Sequence, residues 1–122
     1  MALAGAFPGL ACPVITPHPG EAARLLGAPV KDRPAAALRL ASLCGGVAVL
    51  KGAGTLVSDG TSVLRNTTGG PALAKGGSGD VLAGICAAFY AQAGLARGFG
   101  PETAMLSAAL AVYLHGLCGD LA

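Results

Sequence analysis

The sequence predicts an α/β domain of short buried strands and packed helices, with an antiparallel hairpin at one edge of the sheet. Three observations carry that prediction. The run VAVL at residues 47–50 is wholly apolar, as in a strand covered on both faces. Pro19 and Pro34 stand where two helices should begin, because proline's missing N–H has no partner in a first turn anyway. Residues 66–92 pass from polar positions through a glycine-rich loop into an apolar segment with helical spacing, and the rest of the chain is arranged around that stretch.

Taken in order, residues 12–16 (CPVIT) read as a first buried strand. It stops at PHPGE, where Pro19 as first helical residue and Glu21 as third open a helix running through Leu26. His18 falls at the strand-to-helix corner. In a parallel α/β sheet such corners lie at the carboxyl ends of the strands, where ligands bind. Residue type alone leaves His18 either a ligand-facing group or an exposed turn residue, although the flanking prolines restrict it already in the unfolded chain.

Residues 32–44 form the second predicted helix, with Asp32 as N-cap, Pro34 in the first turn, and Leu38 and Leu43 on its apolar side. Gly45 and Gly46 end it, and VAVL follows. That strand runs into Lys51, Gly52, Ala53, Gly54 and Thr55. A lysine at a strand's carboxyl end, followed by small residues, can aim its ammonium at phosphates while the backbone comes close to them. The same five residues also suit a plain hairpin loop with a solvated lysine. Residues 55–58 and 62–64 flank Asp59-Gly60, a strong hairpin signal, so an antiparallel edge is expected.

The loop Lys75-Gly76-Gly77-Ser78-Gly79-Asp80 is too rich in glycine for regular structure. Gly76, Gly77 and Gly79 can turn successive N–H groups towards one point and make an anion nest. A helix starting near Ser78 or Gly79 adds unpaired N–H groups and the positive end of its dipole, which suits a phosphate. Asp80 in that setting either takes a proton from a hydroxyl attacking the phosphate or complements the helix dipole. The loop alone does not choose between them. Two long helices follow, at residues 78–93 and 101–116. Gly84, Ala87, Ala88 and Ala91 give the first a thin face for close packing. Met105, Leu106, Leu110, Tyr113, Leu114 and Leu117 circle the second, which predicts a largely buried helix, with His115 as a core or subunit-contact residue rather than a ligand.

Composition narrows the function classes. With 122 residues the chain is one domain at most. A net charge of +2, no basic run and 4% aromatic residues exclude a nucleic-acid surface. Mean hydropathy is +0.65 and only 11% of residues are charged, yet the apolar segments 81–91 and 104–114 fall short of the ~20 residues a bilayer requires, so no membrane span is expected. Cys12, Cys44, Cys86 and Cys118 have neither zinc-site spacing nor a compact disulfide pattern and read as buried, reduced thiols of a cytoplasmic protein.

Four stretches carry a resemblance: TPHPGE at 16–21, VLKGAGT at 49–55, GGSGDVLAGI at 76–85 and VYLHGLCGDLA at 112–122. Their order resembles that in ADP/ATP-dependent NAD(P)H-hydrate dehydratase, of the ribokinase-like superfamily. The resemblance implies a ribokinase-like three-layer αβα fold and repair of a damaged cofactor. The hydrates NADHX and NADPHX carry a hydroxyl at C6 of the nicotinamide ring; the family phosphorylates it with a nucleotide and eliminates phosphate, restoring NADH or NADPH. Asp80 aligns with the catalytic base, which also contacts the hydrate, and His18 with the histidine that holds it. Lys51, Gly52, Ala53, Gly54 and Thr55 align with the adenine-nucleotide segment, and Gly79, within Gly76, Gly77, Ser78 and Gly79, with the phosphate loop. The implied cofactors are ADP or ATP with Mg2+, whose ligands in the superfamily come largely from upstream, so no metal ligand is assigned here.

Two departures qualify the match. Residues 70–75 (GPALAK) replace the family's usual N-P-G-M-A-T, and the family's domain is more than twice this long. The chain is therefore expected to be a truncated, carboxy-terminal half of that domain, its residues 1–4 resembling the tail of an acidic segment. Such a piece would expose a sheet edge and an apolar face, implying a homo-oligomer or a complementing amino-terminal half as partner. The competing readings are a ribokinase-like vitamin or sugar kinase and a catalytically inactive interaction fragment.

Overall fold

The computed structural model describes residues 12–70 and 77–121. Its elements are β1 (Val14–Ile15), α1 (Pro19–Leu26), α2 (Arg33–Cys44), β2 (Val47–Leu50), β3 (Leu56–Ser58), β4 (Val63–Arg65), α3 (Ser78–Arg97) and α4 (Pro101–Leu121). The strands form one sheet in the order β1-β2-β3-β4. Strand β1 pairs parallel with β2, Val14 opposite Val47, whereas β2 with β3 and β3 with β4 are antiparallel. The parallel pairing extends past the two residues of β1, because the N–H groups of Val47 and Lys51 donate to the carbonyls of Pro13 and Pro17, each at 2.9 Å. Prolines 13 and 17 have no N–H to return, which shortens the regular strand within the expected 12–16.

All four residues of β2 are 0% exposed. The period of two sends Ala48 and Leu50 into a core with Ile15, Leu40, Leu56 and the helices α1 and α2. Val47 and Val49 enter a second core with Val57, Leu82, Cys86, Ala108 and Val112, from α3 and α4. Helices therefore cover both faces, and the architecture is the expected αβα sandwich with an antiparallel edge.

Local chemistry sets the boundaries. Asp32 Oδ1 accepts from Ala35 N–H at 3.1 Å, capping α2 as predicted. Gly45, at φ 68°, ends that helix in the left-handed region. The β3–β4 connection has four residues, with Ser58 opposite Val63 rather than a two-residue turn on Asp59-Gly60. Asp59 explains it: Oδ1 accepts from the N–H groups of Thr61 and Ser62, both at 2.9 Å, and so holds a wider loop.

Three packing expectations are corrected. Helix α2 buries Ala36, Ala37, Leu40, Ala41 and Cys44, while Leu38 is half-buried and Leu43 is 52% exposed. Alanines let the helix approach the sheet, and the two leucines turn aside to a shallow groove shared with Leu25 and Leu26. On α4 the buried side is Ala104, Ser107, Ala108, Ala111, Val112 and Gly116, whereas Leu106, Leu110, Tyr113 and Leu114 are exposed. The thin face of α3, Gly84, Ala87, Ala88 and Ala91, is likewise exposed, and Leu82, Cys86 and Gly94 go inward.

Both long helices outrun their predicted ends. At 20 and 21 residues they are, by length and composition alone, long and apolar enough to cross a membrane, contrary to the estimate from segments 81–91 and 104–114. Mostly buried core helices pass the same test; here 17% of the apolar window of α3 and 33% of that of α4 is buried, and both helices contribute residues to the core on the sheet. The cysteines are all free, but only Cys44 and Cys86 are buried; Cys12 is half-buried and Cys118 exposed. Burial pushes the Cys86 thiol up to about 11, so it stays protonated and inert.

Candidate functional site

Because β1 and β2 run parallel, the residues that follow them, His18 and Lys51, lie at the same edge of the sheet. Helix α3 also begins there. Together they line a cleft of about 770 Å³ whose far wall is Asn66, Thr68 and the α4 residues Val112, His115 and Gly116. That volume suits a nucleotide-sized ligand.

His18 is exposed but not loose. In extended conformation (φ −80°, ψ 168°) it is the N-cap of α1, where Nδ1 accepts from Glu21 N–H at 3.2 Å and Glu21 Oε1 accepts from His18 N–H at 3.1 Å. The acceptor role leaves Nδ1 unprotonated and places the ring proton on Nε2. Both sequence readings thus meet in one residue, a turn histidine held at the cleft wall. The Glu21 carboxyl is held below its ordinary 4.5, first by the bond from His18 N–H, which outweighs the opposing effect of burial, and further by the nearby charge of Lys51. A carboxylate lowered on folding stabilises the fold above its unfolded value, and that stabilisation disappears as pH falls through the folded value. Acid titration followed by circular dichroism should therefore show the chain losing stability below about pH 4.5, with a shallower loss in Glu21→Gln.

The Lys51–Thr55 segment is a β2–β3 hairpin loop, and it also lines the cleft. Its shape depends on glycine at Gly52 (φ 148°) and Gly54 (φ 66°). Arg33, at the start of α2, pins it by donating from Nη1 to Ala53 C=O at 2.6 Å and from Nη2 to Leu50 C=O at 3.4 Å. Thr55 Oγ1 donates to Gly52 C=O at 3.0 Å. No local sequence signal links Arg33 to this loop, since the partners are 20 and 17 residues away.

At α3 the N-cap is Gly77, at φ 87°, with no side-chain cap bond. The N–H groups of the first turn are thus left for another acceptor. Lys51 reaches the same place: a Cβ added to Gly79 would stand 2.7 Å from Lys51 Nζ. Glycine at 79 lets the ammonium settle against the helix start, so a positive charge and unshared donors face one point. Asp80 is exposed in the same turn and is not among the residues lining the cleft. Lys75 and Gly76 lie outside the described residues.

Sequence reasoning missed two contributors. Asn66 and Thr68 form the wall after β4: Thr68 Oγ1 donates to Tyr113 C=O at 2.8 Å and Asn66 Nδ2 to Val112 C=O at 3.4 Å, fastening the segment to α4. The adjacent Gly69-Gly70 was the available signal, marking a backbone that must come close to something. His115, expected in the core or at a subunit contact, instead lines the cleft with Nε2 3.3 Å from Ser78 Oγ. Among the described residues no group of three His, Cys, Asp or Glu side chains is placed to hold a metal ion.

Comparison with known proteins adds an independent finding. The sequence profile of the NAD(P)H-hydrate dehydratase family matches residues 7–122. The chain is 48% identical over 113 residues to a bifunctional NAD(P)H-hydrate repair enzyme of Vibrio cholerae, covering 88% of this chain and 21% of that protein. It is 42% identical over 113 residues to an ADP-dependent (S)-NAD(P)H-hydrate dehydratase of Cenarchaeum symbiosum, covering 89% of this chain and 37% of that one. Among solved structures, the ADP/ATP-dependent NAD(P)H-hydrate dehydratase of Bacillus subtilis co-crystallised with ATP and Mg2+ superposes with a TM-score of 0.71 at 40% identity, over 88% of this chain and 38% of that one. A ribokinase-like superfamily protein of Enterococcus faecalis gives a TM-score of 0.69 at 37% identity, over 88% and 35%. The chain thus spans 21% to 38% of the length of these relatives.

Proposed function

The chain belongs to the NAD(P)H-hydrate dehydratase family and has a ribokinase-like α/β fold, and from that premise we propose that it takes part in the ADP- or ATP-dependent dehydration of (6S)-NADHX and NADPHX to NADH and NADPH. The observation that carries this reading is Lys51 Nζ against Gly79 at the uncapped start of α3, inside a cleft that His18 also lines. The ammonium and first-turn N–H groups hold the nucleotide's phosphates, the Lys51–Thr55 loop lies along the nucleotide, and His18 Nε2–H orients the hydrate. Asp80 takes the proton of the C6 hydroxyl as its oxygen attacks the terminal phosphorus and the nucleotide leaves, shorter by one phosphate. Loss of phosphate from C6, with the C5 proton, then restores the ring double bond. The donors fit a polyphosphate. A Mg2+ ion would arrive on it, held chiefly by phosphate and water oxygens, and would neutralise charge on the phosphates.

Calorimetric titration of the chain with Mg-ADP tests the reading. Saturable binding is expected, weakened roughly 10- to 100-fold in Lys51→Ala, since a bond to a charged group is lost. A folded chain that shows no saturable binding overturns it. A phosphorylated product that accumulates in place of NADH would instead indicate a vitamin or sugar kinase.

The exposed face formed by Gly84, Ala87 and Ala88 of α3, with Leu106, Leu110 and Tyr113 exposed on α4, supports a partner: a second copy or a complementing amino-terminal half. A well-dispersed monomer by size exclusion would count against both. Free thiols and a nicotinamide substrate support a cytoplasmic setting.

A further inference from the structure

The cleft holds a pair of side chains, one from α3 and one from α4, that the proposed reaction leaves unused. Ser78 Oγ and His115 Nε2 are 3.3 Å apart, and both residues are half-buried and line the cleft. Ser78 is the first residue of α3, directly after the uncapped Gly77, and its neighbour Gly79 lies against Lys51 Nζ. His115 sits on a stretch of α4 that Asn66 and Thr68 fasten through Val112 and Tyr113.

A serine hydroxyl has a single proton to donate. With neutral His115 carrying its proton on Nδ1, Nε2 accepts that proton in a hydrogen bond and Ser78 turns lone pairs towards an incoming anion. With His115 protonated on both nitrogens, Nε2–H donates to Oγ, the hydroxyl proton is free to face the cleft, and a positive charge stands behind it. We propose that His115 is a positioning residue for the phosphate end of the cleft: through Ser78 it sets whether α3 presents a donor or a lone pair to the anion, so that anion binding tightens as His115 becomes protonated. This rests on reading the cleft as a nucleotide site. Among the described residues, the charged or titratable groups on the elements around the cleft include Lys51 after β2, Arg33 and Arg65 against the Lys51–Thr55 loop, His18 and Glu21 at the start of α1, Asp80 in the first turn of α3, and Asp120 on α4, whose Oδ2 accepts from Gly69 N–H at 2.9 Å.

The test compares Mg-ADP dissociation constants at about pH 6 and about pH 8, either side of the histidine range, for the unmodified chain, His115→Gln and Ser78→Ala. Glutamine can donate or accept but cannot become charged. The ratio of the two constants should be roughly three- to tenfold larger for the unmodified chain than for either variant, the worth of one hydrogen bond switched on. Titration of the nucleotide and of groups outside the pair is common to all three and cancels. Equal ratios in folded variants overturn the proposal. If the unmodified chain binds no Mg-ADP at either pH, the nucleotide reading fails on its own account, and the pair is then read in the free chain from the NMR titration of His115 Cε1–H. A curve displaced by Ser78→Ala supports the coupling, and a superimposable one overturns it.

Discussion

Replacing Asp80 with asparagine is expected to slow the dehydration of NADHX by about 10²- to 10⁴-fold, the usual worth of a general base, while Mg-ADP affinity stays within about threefold. The amide has the shape of the carboxylate and cannot take a proton. Two structural facts leave Asp80 available for that work. It is exposed in the first turn of α3, and the cap of that helix is Gly77 with no side-chain bond, so the carboxylate is not occupied in capping. The competing view makes Asp80 a partner of the helix dipole, in which case the substitution would cost about 0.3–1 kcal/mol of stability and leave the rate alone. Following restored NADH by its absorbance, beside a melting curve, separates the two. A rate unchanged in a preparation that turns over the hydrate would remove Asp80 from the chemistry, and an inactive interaction fragment would show no effect at all.

Gly116→Ala is expected to destabilise the chain by about 2 kcal/mol, the cost of inserting a methyl group into a filled site. A Cβ at this buried position would overlap Thr68 Oγ1 and stand 2.7 Å from Thr68 C and 2.9 Å from Gly69 N. Thr68 cannot swing away freely, because its hydroxyl is bonded to Tyr113 C=O. The segment must lift off α4, and the cleft wall goes with it. For a domain of this size the melting temperature should fall by roughly 10 °C, with Mg-ADP affinity falling in the same variant. A melting curve like that of the unmodified chain would show that the wall yields without strain.

Much of this was legible because it depends on neighbours in sequence. Pro19 marks a helix start by lacking an N–H, and Glu21, Asp32 and Gly45 mark helix ends through bonds spanning three or four residues, which the structure shows. VAVL announced a strand covered on both faces because burial on both sides requires apolar residues at every position. The motifs placed His18, Lys51 and Gly79 together, and the cleft joins them. What stayed hidden depends on distance. Arg33 reaches its loop across the start of a helix, and His115 reaches Ser78 across 37 positions. Leu38, Leu43 and the large residues of α4 were misjudged for a different reason. Hydrophobicity ranks leucine above alanine for burial, but close approach of a helix to a sheet selects for the smaller residue, and the larger ones remain outside.

The hold of Arg33 on the Lys51–Thr55 loop bears on the tempo of ligand capture. With Ala53 and Leu50 carbonyls already tied to one guanidinium, the loop gives up its freedom during folding rather than on meeting a nucleotide. On the proposed nucleotide reading, association is then expected as a single encounter step whose rate rises in proportion to nucleotide concentration, without a slow ordering phase. Loosening the loop would show chiefly as a shorter residence time of the bound nucleotide.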